Sequence, residues 1–374
     1  MSRPALAALL VVTLVVTGCE ATGSDRIEAP VAVYVSLPLT GSRGPDGSDA
    51  ADGARLAWEE AQGKAGSLQV RAHFLDDAKG NQWDPVAVGE NARTAVQDHT
   101  TAAYIGELDS EPTRGSVPIT NQAGIVQVSP GAGAVDLTAP AAGYPDSPER
   151  YRPSGDVSFA RMVPADDVVV EAAAAWAAEL GVSSAGVISN GSPFQNLAAS
   201  EFRSAAAAHG IQVSAGEPPG KIAVAPGGRI RAVYRPGTAG LVVYGEATQV
   251  LELSAELDPK LLPDKEFDAR FAERFSRNPG PYAAYGYEAM ALILQAIGEA
   301  GTDVSSFRDN VRGAVIGAQR DDTVLGSYSI TSEGDTTECM IQRYRIRRAG
   351  AVFPGITRAN APLRVPLGAP CPPR

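Results

Sequence analysis

Acidic side chains are the residues of this sequence that most suggest catalysis, because they occur as adjacent pairs. The pairs are Asp76-Asp77, Asp166-Asp167 and Asp321-Asp322. Neighbouring carboxylates point to opposite faces of a strand, so such pairs are more typical of solvated loops than of a general acid and base. The sequence also lacks the G-x-S-x-G, P-loop, G-x-G-x-x-G and H-E-x-x-H motifs. We therefore predict that the protein is not an enzyme.

The overall charge excludes some classes of partner. Lys and Arg number 32 against 43 Asp and Glu, a formal net charge of −11. The mean field of such a chain repels both nucleic acid and anionic lipid. Nucleic acid is therefore not expected as a partner.

The first residues have the features of an export signal. Arg3 precedes an apolar run over 5–16, which as a helix would rise only about 18 Å, against a bilayer core of about 30 Å. The run ends in Val16-Thr17-Gly18-Cys19, which resembles a bacterial lipobox. This resemblance implies a signal peptide over 1–18, a lipid on Cys19 and a tether over 19–29. The alternative is an ordinary cleavage site beside an unrelated cysteine. We predict an exported lipoprotein on the outer face of the cell membrane, or in the periplasm.

The remaining cysteines and the histidines do not form a metal site. The histidines are His73, His99 and His209, and the cysteines besides Cys19 are Cys339 and Cys371. Their spacing matches no metal-binding motif, and we expect neither a metal nor a cofactor. After export, an even pair of cysteines usually closes a disulfide. We predict that Cys339 and Cys371 form one.

Apolar runs and helical patterns alternate along the first part of the chain. The predicted strands are 31–36, 68–75, 102–105 and 125–128. Ser48 or Asp49 is expected to cap the first helix, and Asp84 to cap another that begins at Pro85. This alternation has the spacing of βαβ units, which predicts a parallel sheet with helices on both faces.

The same alternation restarts after 155, which predicts a second α/β lobe. Later helices are expected over 282–300 and 307–318, and a hairpin over 328–346 around the turn Ser332-Glu-Gly-Asp335. The tyrosines at the start of the first of these helices, Tyr282 and Tyr285, are more typical of core packing than of a stacking platform. The predicted fold class is α/β with two lobes.

Several segments in order resemble one family. They are Leu37-Pro-Leu-Thr-Gly41, Asp52-Gly-Ala-Arg-Leu-Ala57, Leu75-Asp-Asp77, Tyr104-Ile-Gly-Glu-Leu-Asp-Ser110, Asn121-Gln-Ala-Gly-Ile-Val-Gln-Val-Ser-Pro-Gly131 and Pro281-Tyr-Ala-Ala-Tyr-Gly-Tyr-Glu-Ala-Met290. Together they cover most of 30–140 and 255–350. They resemble type I periplasmic binding proteins, in particular the leucine/isoleucine/valine-binding branch of ABC transporters.

The resemblance implies two lobes with parallel sheets, joined by three crossing strands near 158–163, 250–254 and 325–328. Lobe 1 would comprise 30–157 and 255–325, and lobe 2 would comprise 158–254 and 326–350, followed by a Pro-rich tail over 351–374. Only a short stretch separates the strand 241–244 from the second crossing. Lobe 2 is therefore expected to lack about one βα unit of roughly 30 residues.

The resemblance also implies where a ligand would bind. Ser110 matches a serine that binds the ligand carboxylate, although it could equally be a simple helix cap. Gly131 and Gly133 match a ligand-binding loop, and Gly133 lacks the family's threonine hydroxyl.

After the first strand, Asp46 stands where the family often has an aromatic residue. Across the cleft, Phe194 stands where the family has a tyrosine. Tyr244 ends the strand that precedes the shortened region. The acid that binds the ligand ammonium is missing with the βα unit, and Glu246, Glu107 and Asp109 are candidate replacements. Each of the three could equally be a solvated surface acid.

These observations lead to a main hypothesis and an alternative. The main hypothesis is a monomeric solute-binding lipoprotein that holds a small amino acid or amide-like solute and delivers it to an ABC transporter permease. The alternative is a surface lipoprotein that keeps the scaffold with lost or altered ligand binding and serves a structural or partner-binding role.

Overall fold

A computed structural model describes residues 26–179, 184–188, 193–215, 229–234, 240–244, 250–347 and 363–368, with side chains over 26–179, 196–213 and 255–343. The predicted signal peptide, Cys19, Glu246 and Cys371 lie outside the described residues, so the lipid anchor and the disulfide stay predictions. Phe194 and Tyr244 lie on described backbone without described side chains.

The strands are β1 (Val31–Leu37), β2 (Lys64–Ala65), β3 (Leu68–Asp76), β4 (Ala78–Lys79), β5 (Gln82–Trp83), β6 (Thr101–Ile105), β7 (Val126–Ser129), β8 (Phe159–Arg161), β9 (Ser184–Ile188), β10 (Gln212–Ala215), β11 (Arg229–Tyr234), β12 (Gly240–Tyr244), β13 (Val250–Ser254), β14 (Gln319–Thr323), β15 (Gly326–Ser329), β16 (Gln342–Arg347) and β17 (Leu363–Gly368). The α-helices are α1 (Gly44–Glu60), α2 (Pro85–Gln97), α3 (Ser110–Gln122), α4 (Asp166–Glu179), α5 (Pro193–Ala208), α6 (Phe267–Phe275), α7 (Ala283–Glu299) and α8 (Phe307–Val315).

The first sheet has the strand order β2-β3-β1-β6-β7-β8 and is parallel except for the short β2. All seven residues of β1 are buried, as expected of a central parallel strand. Val33 and Val35 face the main core, where α1 and α7 pack, and Tyr34 faces a smaller cluster with residues of α2 and α3. Helices therefore cover both faces of this sheet, which confirms the predicted α/β class.

Two glycines allow α1 and α7 to approach closely. A Cβ at Gly53 would lie 1.9 Å from the carbonyl oxygen of Ala283, and one at Gly286 would lie 2.0 Å from that of Ala50. Tyr285 is fully buried on α7, and its hydroxyl donates to the carbonyl of Ala255. The core interpretation of the tyrosines at the start of this helix is confirmed.

The second sheet differs from the expected parallel arrangement. Its order is β10-β9-β11-β12-β13-β16-β17, and only β9, β10 and β11 are mutually parallel. The other pairs are antiparallel. Only 235–239 connect β11 to β12, and antiparallel strands can be joined so briefly, whereas a parallel crossover needs a dozen or more residues. Between α5 and β13 the structure describes 209–215, 229–234 and 240–244, and these residues contain no helix.

Two local predictions are wrong in detail. α1 begins at Gly44 and not near Ser48, because Pro45 is suited to the first helical turn. The expected hairpin over 328–346 does not form, since β15 pairs with β14 and β16 pairs with β13. Only its turn is present, where the Thr331 N–H donates to the Asp335 carbonyl. The residues of the third expected crossing overlap β15, and the crossing itself stays a prediction.

Other expectations agree with the structure. The Asp84 side chain caps α2 by accepting from the Val86 and Ala87 N–H groups, and Pro85 is the first residue of α2. The expected Pro-rich tail contributes β17 at the edge of the second sheet. None of the helices in the described part of the chain is long and apolar enough to cross a bilayer.

Candidate functional site

The carboxyl ends of β1, β6, β7 and β8 meet at one edge of the first sheet, because these strands are parallel. α1, α3 and α4 begin just beyond that edge, after β1, β6 and β8. Open α/β sheets bind ligands beyond the carboxyl ends of their strands. The amino ends of helices there offer free N–H groups and a partial positive charge. This edge is therefore the candidate site.

Three predicted site residues come together at this edge. Ser110 is the first residue of α3 and is half-buried. Its Oγ accepts a hydrogen bond of 3.1 Å from the N–H of Ala134. That bond joins α3 to the loop after β7, which contains Gly131 and Gly133. The simple helix-cap interpretation of Ser110 is wrong, because the N-cap position of α3 is Asp109 and Ser110 Oγ accepts from the loop and not from an N–H group of α3. The ligand-binding interpretation stays a prediction, since a hydroxyl that accepts one bond can still donate another.

The space beside the two glycines is already occupied. A Cβ at Gly131 would lie 2.6 Å from the Leu108 carbonyl oxygen and 2.9 Å from the Tyr282 ring. A Cβ at Gly133 would lie 2.5 Å from Oδ1 of Asp166. A threonine therefore cannot fit at Gly133 unless Asp166 moves, and a carboxylate stands where the family's hydroxyl would be.

Arg43 links the amino ends of three helices at the site. Its Nε and Nη2 donate to Asp109 at 3.1 and 2.7 Å, Nη1 pairs with Asp46, and Nη2 also lies 3.3 Å from the Tyr282 hydroxyl. Asp46 lies in the first turn of α1, Asp109 precedes α3, and Tyr282 precedes α7. The structure thus brings Asp46 near Ser110, but as a partner of Arg43.

The charges of this network are fixed near neutral pH. Burial tends to lower the pKa of Arg43, but Tyr282, Asp109 and Asp46 outweigh it and raise the pKa above its ordinary value. Burial, followed by the nearby Glu256, raises the pKa of the Tyr282 hydroxyl well above its ordinary value. Arg43 therefore stays cationic and Tyr282 stays a neutral hydroxyl.

Asp166 is the acid that lies closest to the glycine loop. Its N–H donates to the Gly133 carbonyl at 2.8 Å. Burial raises the pKa of its carboxyl to about 6, while Arg161 opposes the shift. The Glu256 carboxylate is also near enough to act on Asp166. Two carboxyl groups, those of Asp166 and Glu256, thus lie close to the glycine loop and to each other.

Glu107 does not belong to the exposed part of the site. Its side chain is fully buried, and Oε1 accepts a hydrogen bond of 2.8 Å from the Tyr104 hydroxyl. This removes Glu107 from the acids that could contact a ligand ammonium. Phe194, at the start of α5, and Tyr244, at the end of β12, are placed only by their backbone, and Glu246 lies outside the described residues.

Comparison with known proteins identifies the family. A family model described as periplasmic binding protein matches residues 30–225, more than half of the chain. The chain belongs to the periplasmic binding protein family. Members of this family are solute-binding proteins rather than enzymes. Those of ABC transporters act outside the cytoplasm and interact with a permease. No curated protein sequence matches the chain significantly.

Solved structures agree with the type I periplasmic binding fold. An ABC transporter substrate-binding protein from Desulfitobacterium hafniense in complex with Leu is 17% identical, with a TM-score of 0.64, covering 90% of this chain and 100% of its own. The leucine binding protein LivK of Thermotoga maritima is 17% identical, with a TM-score of 0.63, and the match covers 87% of this chain and 98% of LivK. A solute binding protein from Rhodopseudomonas palustris in complex with 3,4-dihydroxy benzoic acid is 14% identical, with a TM-score of 0.64. The match covers 92% of this chain and 98% of that protein.

Sequence reasoning missed four residues of the site: Arg43, Asp166, Glu256 and Tyr282. Arg43 lies in the glycine-rich loop after β1, and Asp166 belongs to an acidic pair at a helix start, so both had a local signal. Tyr282 was assigned to the core, and it is indeed buried while its hydroxyl faces Arg43. Glu256 lies two residues after β13, and no local pattern singled it out.

Proposed function

We propose that this periplasmic binding protein is the solute-binding component of an ABC importer and binds a small amino acid or amide-like solute between two lobes. The observation that supports this most is the convergence of Ser110, the Gly131–Gly133 loop and Asp166 at the carboxyl edge of the first sheet. The proposal includes the lobe boundaries expected from the sequence, export to the outer face of the membrane, and a lipid anchor at Cys19.

The site offers complementary groups for an amino acid. A ligand carboxylate would accept hydrogen bonds from the Ser110 hydroxyl and from free N–H groups at the start of α3, where the helix dipole favours negative charge. A ligand ammonium would be stabilised by Asp166 and by the Gly131–Gly133 loop carbonyls. Asp166 is therefore the acid that we favour in place of the missing one, with Glu246 and Asp109 as the other candidates.

The bound molecules of similar structures support the carboxylate part of this proposal. One such protein was solved with Leu, and others with 3,4-dihydroxy benzoic acid and with benzoate. All three molecules have a carboxylate, whereas only Leu has an ammonium group. We therefore expect the Ser110 end of the site to matter for any solute, and Asp166 to matter only for solutes with an amine.

Replacing Ser110 by alanine should weaken solute binding by about 1–3 kcal/mol, or about 5–150-fold in Kd, because a hydroxyl donor to a carboxylate is lost. Titration calorimetry with the solute that stabilises the wild type most would measure the change. Ser67→Ala is the matched control, since Ser67 is exposed and lies far from the site in the turn between β2 and β3. Equal affinity in the Ser110 and Ser67 variants would remove Ser110 from the binding site.

A second candidate is the surface lipoprotein with lost or altered solute binding. The observation that favours it is the closed network at the site, in which Arg43 already donates to Asp109, Asp46 and Tyr282. Native mass spectrometry of freshly purified protein distinguishes the two candidates. A bound small molecule would contradict the scaffold role.

A further inference from the structure

Two carboxyl groups are buried together beneath the candidate site. Asp77 directly follows β3 and Glu107 follows β6, and β3 and β6 flank β1 in the first sheet. Both residues are 0% exposed. The two carboxyl groups are close enough to act on each other directly. Glu107 begins the segment that ends at Ser110, so this pair supports the loop that leads to the ligand-binding end of α3.

The surroundings of the pair provide few donors. Glu107 Oε1 accepts from the Tyr104 hydroxyl, and the Glu107 carbonyl accepts from Ser129 Oγ at 2.6 Å. Among the described residues, Glu107 Oε2 and both carboxylate oxygens of Asp77 have no well-formed hydrogen bond from another part of the chain. A buried carboxylate oxygen without a donor is costly, so a proton held between the two groups is the simplest way to satisfy them.

The titratable groups that face the pair are all acidic. Asp76 comes from the end of β3, Asp109 from the loop before α3, and Tyr104 from β6. The neighbours from β1 and α2, Ser36 and Asn91, are neutral. Asn91 donates to Ser36 Oγ, and the Ser36 hydroxyl is near enough to hydrogen-bond Glu107, which partly opposes the rise of the Glu107 pKa. Arg43, the cation that contacts Asp109, is bound to that carboxylate. Among the described residues, no ion pair with a basic side chain involves Asp77 or Glu107.

We propose that Asp77 and Glu107 share one proton at neutral pH, and that this proton is a pH-sensitive lock on the segment from Gly106 to Ser110. Two negative charges cannot be accommodated in this closed space, where no described basic side chain pairs with either carboxyl group. Other closely paired carboxyl groups likewise share one proton. When the shared proton leaves at alkaline pH, repulsion between the carboxylates pushes Glu107 out of its place and loosens the start of α3.

The sign of the pH dependence follows from burial. Burial raises the pKa of Asp77 to about 6, with Asp109 and Asp76 adding to the shift, and burial followed by Asp77 raises the pKa of Glu107 well above its ordinary value. The folded protein therefore holds more protons than the unfolded chain above about pH 4. The stability that the pair contributes is complete below that pH and decreases as the pH rises through 6 and beyond. For each proton that the folded protein holds in excess, the unfolding equilibrium constant increases by up to tenfold per pH unit.

Glu107→Gln tests the proposal, because glutamine keeps the shape and can donate permanently to Asp77. We expect the melting temperature of the wild type to decrease from pH 6 to pH 9 more steeply than that of the variant. Glu90→Gln is the control, since Glu90 is exposed on α2 and gives the same change in charge. At pH 8.5, hydrogen exchange in a peptide covering 104–113 should be faster in the wild type than in Glu107→Gln, with equal rates at pH 6.

A second measurement uses the same variant. Infrared difference spectroscopy of the wild type against Glu107→Gln at pH 7 should show the carbonyl stretch of a protonated, buried carboxylic acid that is present only in the wild type and disappears at alkaline pH. Absence of this band, or equal pH dependence of stability in the wild type and Glu107→Gln, would overturn the proposal. Stabilisation of the wild type but not of the variant by added Ca²⁺ at pH 8 would also overturn it, because the pair would then bind a cation.

Discussion

Replacing Arg161 by methionine should lower the free energy of unfolding by about 3–5 kcal/mol at pH 7, as expected when one partner of a buried ionic network is removed. Arg161 is fully buried on β8. Its guanidinium pairs with Asp335 at 2.9 Å and donates to the Ala132 carbonyl at 3.1 Å and to Thr138 Oγ1 at 2.7 Å. Without Arg161, these oxygens and the neighbouring Asp166 lose their positive partner.

The loss should be smaller at pH 5 than at pH 7. Arg161 lowers the pKa of Asp166, which burial holds at about 6, so the variant's Asp166 would titrate at still higher pH. Below both pKa values the Asp166 carboxyl is neutral in either protein, so its part of the loss disappears, while the contacts of Arg161 with Asp335, Ala132 and Thr138 are missing at either pH. Chemical denaturation at the two pH values measures this difference.

Arg312→Met is the matched control for Arg161→Met. Arg312 pairs with Asp156 and Asp309, whose side chains are 54% and 67% exposed, and such surface pairs contribute about 0–1 kcal/mol. A loss of similar size in the Arg161 and Arg312 variants would show that the Arg161 network does not hold β8 and the glycine loop together.

Replacing Gly334 by alanine should destabilise the fold by about 2–6 kcal/mol, since backbone strain and overpacking each cost about 1–3 kcal/mol. Gly334 has φ +101°, and a Cβ there would lie 1.9 Å from the Phe159 carbonyl oxygen. Its own carbonyl accepts from the Arg161 N–H at 3.0 Å. The turn after β15 and the crossing strand β8 must therefore separate to admit the methyl group. Thermal and urea unfolding both measure the loss.

The variant Gly143→Ala distinguishes backbone strain from overpacking as the cause of the loss. Gly143 has φ +86° and nothing within 4 Å of the added Cβ, so its variant should lose only about 1–2 kcal/mol from conformational strain. If both variants lost the same amount, the close packing of Gly334 on β8 would not contribute to stability.

The parts of the fold that local sequence determines were predictable. Asp84 followed by Pro85 defines a helix start through groups within one turn, and the wholly apolar run of β1 indicates a buried parallel strand wherever it pairs. The start of α1 was misplaced because both Pro45 and Asp49 are suitable residues for a helix start. The antiparallel half of the second sheet was hidden, because an apolar run alone does not specify the direction of its neighbour.

The site was only partly predictable, because its decisive contacts join distant parts of the chain. Ser110 and the Gly131–Gly133 loop lie close in sequence and follow neighbouring strands, so a resemblance could place them together. The contact of Arg43 with Tyr282 joins residues 239 positions apart, and no local pattern indicates it. Glu107 is likewise buried beside Asp77, which follows a different strand, and no local pattern indicates that burial.

The most direct test of solute binding is a thermal-shift screen of residues 20–374 against amino acids, amides, aromatic carboxylic acids, polyamines and small sugars. A solute at about 100 times its Kd should add about 2.7 kcal/mol to the free energy of unfolding. For domains of this size, the melting temperature rises by about 2–4 °C for each kcal/mol. We expect a clear shift with amino acids or with amide-like solutes, and none with sugars. A cooperative melt that no solute shifts, in protein that carries no bound small molecule, would contradict solute binding.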